Sequence, residues 1–172
     1  MNLPRTRDCI VLVKGDSYPV AISDALATGG WQGGQGVQWS TPTRDNFVVT
    51  YSDGLYAGFL LWGSDELGDK HTGMSGNQPH YRFATCGAGG WLITTRTYER
   101  YTYASRIGGG PLVPIVYSAS DRLVFSLRGW LTKEDEWTLS GDPRAPNTYY
   151  IAFVSQPPTA ATEYYLGVQV SI

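Results

Sequence analysis

The chain predicts an all-β fold, an antiparallel β-sandwich or a jelly-roll-like arrangement with long Gly-rich loops. Three observations carry this. Short runs rich in β-branched and aromatic residues recur along the chain, bounded by Gly, Pro, Asn, Asp and Ser. Almost no stretch has the periodicity of an amphipathic helix, and no internal repeat stands out. The third is residues 46–62, where two such runs, NFVVTY and LYAGFLLW, flank the polar turn Ser52-Asp53-Gly54. That pattern predicts a central hairpin, because Asp53 can bond its own backbone and Gly54 can take a positive φ. In the second run Leu55, Ala57, Phe59 and Leu61 point one way, and Tyr56, Leu60 and Trp62 the other. Both faces are apolar, so this strand needs cover on both sides.

The remaining elements follow in order. Residues 1–8 are polar and contain Pro4, which predicts an extended arm; residues 9–172 form one domain. Residues 9–13 are a short strand, and 18–22 its expected hairpin partner across the turn at 14–17. Residues 23–27 are compatible with one helical turn capped by Ser23, whose hydroxyl can satisfy an orphan N–H. A Gly-rich loop with Trp31 follows, either a contact loop or, more simply, an ordinary loop with Trp31 folded onto the core. Residues 37–39 lead into the hairpin, and 63–78 read as a long polar loop.

Further strands are expected at 80–85, 91–94 and 98–103. Residues 112–117 are apolar but carry Pro114, which cannot donate to a ladder, so they belong at an edge. Residues 122–131 alternate, with Leu123, Phe125 and Leu127 on one face and Ser126 and Arg128 on the other. Residues 133–136 read as a charged turn before Trp137, and 149–155 and 163–172 as the last strands. The expected core is Phe47, Val49, Phe59, Leu61, Leu123, Phe125, Leu127, Leu166 and Val168.

Composition limits function. Charged residues are 16% of the 172, below the roughly 25% of an average soluble protein. The chain holds 21 Gly, 6 Trp, 12 Tyr and 5 Phe. So much amphipathic area on a small domain points to stable protein contacts or to sugar stacking. With a net charge of −2, no basic patch reads as a nucleic-acid surface. The alternation of Arg96, Arg100 and Arg106 with Tyr98, Tyr101 and Tyr103 can stack bases, but it also describes one face of a strand. There is no apolar leader and no run of membrane-spanning length, so synthesis in a cytoplasm without membrane insertion is expected.

Catalytic patterns are sparse. Cys9 and Cys86 are the only cysteines; they could pair, but no spacing suggests a disulfide framework or a zinc site, and two free buried thiols are the favoured expectation. His71 and His80 lack metal-motif spacing. Asp65, Glu66, Asp69 and His71 match no known calcium loop, and a solvated acidic loop describes them better. Residues 86–90 lack the spacing of a dinucleotide fingerprint, and no Gly-x-Ser-x-Gly elbow occurs. No catalytic, cofactor-binding or metal-binding residue is assigned, no cofactor is expected, and the chain reads as a non-enzyme.

The arm 1–8, the Gly- and aromatic-rich loops, the stretch Tyr117-Ser118-Ala119-Ser120-Asp121-Arg122-Leu123 and the strand ending at Ile172 give a whole-chain likeness. In these the chain resembles small all-β structural proteins of tailed-bacteriophage virions, of decoration, tail or baseplate type. The resemblance implies synthesis in the host cytoplasm, residence in the virion and many symmetric copies without catalysis. The expected partners are other copies of the chain and other virion proteins, with neither nucleic acid nor membrane. The expected function is a structural subunit that stabilises a particle through arm and aromatic-loop contacts. Leu3, Arg5, Arg7, Trp31, Trp62, Tyr101, Tyr103 and Trp137 are the interface candidates. The alternative is a lectin-like or host-adsorption module that stacks Trp or Tyr on a glycan.

Overall fold

A computed structural model describes residues 8–21, 30–39, 47–49, 56–63, 72–75, 78–81, 83–126, 128–139 and 152–171. The described strands are β1 (Cys9–Val13), β2 (Ser17–Ala21), β3 (Gly36–Trp39), β4 (Phe47–Val49), β5 (Tyr56–Leu60), β6 (Thr72–Ser75), β7 (Gln78–Tyr81), β8 (Phe83–Gly87), β9 (Leu92–Thr95), β10 (Arg122–Phe125), β11 (Leu131–Lys133), β12 (Ala152–Gln156) and β13 (Leu166–Val170). Two short helices join them, α1 (Tyr103–Ile107) and α2 (Glu134–Leu139). The strands form a six-stranded sheet, β1-β9-β13-β12-β10-β11, a five-stranded sheet, β2-β8-β5-β3-β4, and the small pair β6-β7. Every pairing between these strands is antiparallel. The expected all-β sandwich is the observed architecture.

The two larger sheets share one core. Phe59 of β5 meets Trp91 edge to face at 6.0 Å, across the layers. Gly36 of β3 lies against Phe125 of β10, where a Cβ would sit 2.3 Å from the ring. Only glycine fits there, and this close approach seats β3 on the opposite sheet. Phe59, Leu61, Leu123, Phe125, Leu166 and Val168 are buried, as expected from their alternation. The side chains of Phe47 and Val49, and residue Leu127, lie outside the described residues. Leu60 is buried beside Phe59, so β5 is covered on both faces.

The central hairpin is not formed. β5 pairs with β3 and β8, while β4 pairs with β3 alone. Two strands antiparallel to the same neighbour run parallel to each other, so β4 and β5 cannot be a hairpin. Good local turn chemistry at 52–54 is overridden by β3, whose Val37 is fully buried.

Nor do β1 and β2 form a hairpin. β1 pairs with β9 in one sheet and β2 with β8 in the other. The corner between them packs against the corner between β8 and β9. Asp16 N–H donates to Gly89 O (3.0 Å), and Ala88 N–H to Asp16 O (2.8 Å). A Cβ on Gly15 would lie 2.2 Å from Gly89 O, so a side chain there is excluded. One long ladder thus folds over at Gly15 and feeds both sheets.

Other elements differ in detail. Part of the expected loop 63–78 is the β6-β7 pair. The expected strand 98–103 makes only single bridges, Tyr98 to Leu131 and Tyr101 to Pro114, and gives way to α1. The expected edge strand 112–117 has only that Pro114 bridge. Residues 122–131 break after Phe125 into a tight turn, with Ser126 N–H on Trp130 O at 2.6 Å, before β11. The expected charged turn 133–136 opens α2, where Glu134, Asp135 and Glu136 meet the favourable end of the helix dipole. The last strand starts at Leu166, because Glu163 and Tyr164 adopt left-handed φ values of 52° and 61°. Residues 1–7 of the arm, 23–27, and Asp65, Glu66, Asp69 and His71 lie outside the described residues.

Phe125 fills the space that Gly36 leaves open. Phe125→Ala should cost about 3–5 kcal/mol in urea unfolding. A loss under about 1 kcal/mol would show that this contact does not hold the layers together.

Candidate contact surface

After β9 the chain leaves the sheet and runs beside β11. Glu99 N–H donates to Leu131 O (2.7 Å), and Leu131 N–H to Thr97 O (3.2 Å). This places the Glu99 side chain inside the protein, with 0% exposure. A buried carboxylate is tolerated only when paired and hydrogen-bonded. Arg128 supplies both requirements, Nε to Oε1 at 2.9 Å and Nη2 to Oε2 at 2.6 Å. Ser126 Oγ donates to Oε1 at 2.7 Å, and Arg106 Nη1 lies 3.5 Å from Oε2. Tyr117 OH donates to the Glu99 carbonyl. Burial raises the Tyr117 phenol well above its ordinary range, which keeps it a donor. The Arg128 guanidinium also stacks on Trp130, 3.6 Å from the ring centre, and its carbonyl accepts from Gln35 Nε2.

Glu99 therefore ties three things together: the turn at 126–130, α1 through Arg106, and the segment ending at Tyr117. Between Glu99 and Tyr117 the chain builds a small frame. Thr102 caps α1 by accepting from Ser105 N–H (3.3 Å), and Gly108 N–H closes it on Ala104 O. The returning strand is bonded back by Thr102 N–H to Val113 O and Ile115 N–H to Arg100 O, both 2.9 Å. Val113 N–H adds a bond to Ser105 Oγ. From α2, Glu136 accepts from Tyr103 N–H (2.6 Å) and from Thr132 Oγ1 (3.2 Å).

The side chains on this frame point outward. Ile107 is 66% exposed, Leu112 52%, Val113 51% and Val116 74%, and Tyr101 stands among them. These aliphatic side chains, close in sequence, are thus exposed on a segment whose backbone is bonded in place. Beside it lies a cleft of about 480 Å³, lined by Thr102, Pro114, Ile115, Val116, Lys133 and Asp135 among others. Lys133 Nζ closes one wall on Val116 O (3.1 Å) and pairs with Asp121 at 3.2 Å.

The interface candidates divide. Tyr101 and Tyr103 are on the frame, and the Arg106 guanidinium lies 5.6 Å from the Tyr103 ring centre. Trp31 is folded onto the core, its indole donating to Trp62 O at 2.7 Å, and Trp62 is partly exposed at the end of β5. Trp137 lies in α2, with its side chain outside the described residues, and Leu3, Arg5 and Arg7 also fall outside them. Ile107, Leu112, Val113 and Val116 were not among the candidates. The available signal was four aliphatic residues flanking Gly108-Gly109-Gly110 and Pro111 in a stretch that cannot make a regular strand. The Arg-Tyr alternation is spent inside the chain: Arg96 stacks on Tyr165, Arg100 on Tyr98 and Arg106 on Tyr103.

Neither Cys9 nor Cys86 is in a disulfide, and both are buried. Burial pushes the Cys86 thiol up to about 12, against a smaller lowering by its bond to Tyr18. A thiol held protonated in this way is a poor nucleophile. Among the described residues no group of three or more His, Cys, Asp and Glu is placed to hold a metal ion. Among them, too, no helix is long and apolar enough to cross a membrane.

The energetic weight of Glu99 is testable against a surface pair. Arg128→Ala should cost about 3 kcal/mol, the low end for breaking a buried pair because Arg128 is half exposed. Arg122→Ala, which removes a long pair at 3.9 Å between an exposed Arg122 and a partly buried Glu134, should cost less than about 1 kcal/mol. Equal costs in denaturant unfolding would contradict the central place given to Glu99. Compared with known proteins, the chain matches no family model, no curated protein and no solved structure.

Proposed function

We propose that the protein is a non-enzymatic structural subunit of a multi-copy assembly, and that the frame 99–117 is one of its contact surfaces. The observation that carries this reading is the exposure of Ile107, Leu112, Val113 and Val116 on a segment already bonded in place. A surface ordered in advance loses little conformational entropy on docking, which favours stable association. The aliphatic character suits burial against another protein. The particle we propose, a tailed-bacteriophage virion, rests on the style of the sequence. Glycan binding draws less support, because Pro114, Ile115 and Val116 give the cleft an aliphatic wall where sugar stacking needs an aromatic one.

Sedimentation velocity of the full chain tests this. The unmodified protein should associate as its concentration rises, and Leu112→Asp with Val116→Asp should weaken association about tenfold or more while the far-ultraviolet spectrum stays unchanged. A folded double variant that associates as tightly as the unmodified chain would remove the frame from the assembly surface.

A further inference from the structure

Arg96, Arg106, Arg122, Arg128 and Lys133 each pair with a carboxylate. Among the described lysines and arginines, only Lys14 and Arg100 do not. Lys14 belongs to the corner between the sheets, and Arg100 to the frame. On α2, beside the frame, Glu136 is the opposite case. Its oxygens accept from Tyr103 N–H and Thr132 Oγ1, but among the described residues no Lys or Arg pairs with it. The same region therefore presents a cation without an anion and an anion without a cation.

Both groups are held in place. Arg100 is exposed, and its guanidinium lies 5.4 Å from the Tyr98 ring centre. That ring is fixed by an edge contact with Tyr117 at 5.5 Å and by its hydroxyl, which donates to Tyr164 O at 2.7 Å. Glu136 lines the cleft of about 480 Å³, whose aliphatic wall is Pro114, Ile115 and Val116. Lys133 also lines the cleft, but its charge is matched by Asp121 at 3.2 Å. Ile115 N–H donates to Arg100 O, so the cation and the cleft wall are backbone neighbours, yet Arg100 and Glu136 of one chain do not pair.

We propose that the cleft receives Arg100 of a second copy of this chain, with its guanidinium on the Glu136 carboxylate. The inference rests on the multi-copy role proposed above and names the residues through which two frames meet. The chemistry of the cleft suits an arginine. Pro114, Ile115 and Val116 cover the apolar stem of the side chain, while its head reaches the carboxylate. Each Glu136 oxygen takes one bond within its own chain and can accept another, and a guanidinium supplies donors in the geometry a carboxylate accepts. A two-fold axis at the frame makes the exchange reciprocal, since each copy gives one Arg100 and receives one. Val116 belongs both to the cleft wall and to the exposed aliphatic set, so the exchange is continuous with the contact surface already proposed. Opposite charges at fixed places also set the register of two aliphatic faces, which by themselves could slide.

A double-mutant cycle on the full chain tests the pair, read by sedimentation equilibrium. Arg100→Gln and Glu136→Gln should each weaken association about tenfold. Glu136→Gln keeps an amide oxygen for Tyr103 N–H, and Arg100 is already exposed, so the far-ultraviolet spectrum should not change. Because both substitutions remove the same contact, the double variant should associate no more weakly than either single one. A double variant weakened about a hundredfold would mean that the two residues act at separate places, and overturns the inference. So do single variants that associate as tightly as the unmodified chain; if Leu112→Asp with Val116→Asp still dissolves that oligomer, the frame remains an assembly surface and only the Arg100 contact falls. An unmodified chain that stays monomeric overturns both.

Discussion

A carboxylate with no access to water must find its partners within the protein, and Glu99 finds them from three directions. Arg128 binds both oxygens, Ser126 donates to one, and Arg106 approaches the other. Taking such a charge out of water costs several kcal/mol, which the pairing offsets only if the donors are held in place. The arrangement is therefore mutual: the donors fix Glu99, and Glu99 fixes them. Because Arg106 sits on α1 and Ser126 and Arg128 on the turn after β10, the carboxylate couples the sandwich to the frame outside it. The position of the exposed aliphatic side chains follows from that coupling.

These bonds give a segment with little core contact its support. Residues 100–116 bury few large side chains, and three glycines and two prolines deny them a regular strand. Their backbone groups are nevertheless bonded to each other, to Ser105 Oγ or to Glu136. Polar bonds thus replace apolar packing as the source of local order, and the apolar side chains stay exposed. At β1, too, Cys9 is buried while Ile10, Leu12 and Val13 are exposed.

Much of the architecture was legible in the residues. Alternation in 123–125 and 166–170 identified Leu123, Phe125, Leu166 and Val168 as core, because a half-buried strand repeats every second residue. What misled was local turn chemistry. Ser52-Asp53-Gly54 has the composition of a hairpin turn, yet β3 takes the place between β4 and β5. Lys14-Gly15-Asp16-Ser17 also looks like a hairpin turn, but Gly15 is there for its close approach to Gly89 and Trp91 at a corner between sheets. Turn residues declare a change of direction and not the strand that will be met afterwards. The contact frame was harder still. Glu99 lies among Arg and Tyr in a stretch that reads as a solvent-facing strand, and nothing local marks it as buried, since its main partner, Arg128, is distant in sequence. Aromatic residues drew attention as anchors, although Trp31 is folded inward and the exposed surface is largely aliphatic.

The claim at the centre of this account is that the frame is ordered before any partner arrives. Hydrogen exchange at the Thr102 and Ile115 amides of the dilute, monomeric chain measures it directly. Their bonds to Val113 and Arg100 predict slow exchange, approaching that of a core strand such as β9. Exchange at the rate of an open loop would mean that Glu99 does not hold the frame in place and that the surface forms only on binding.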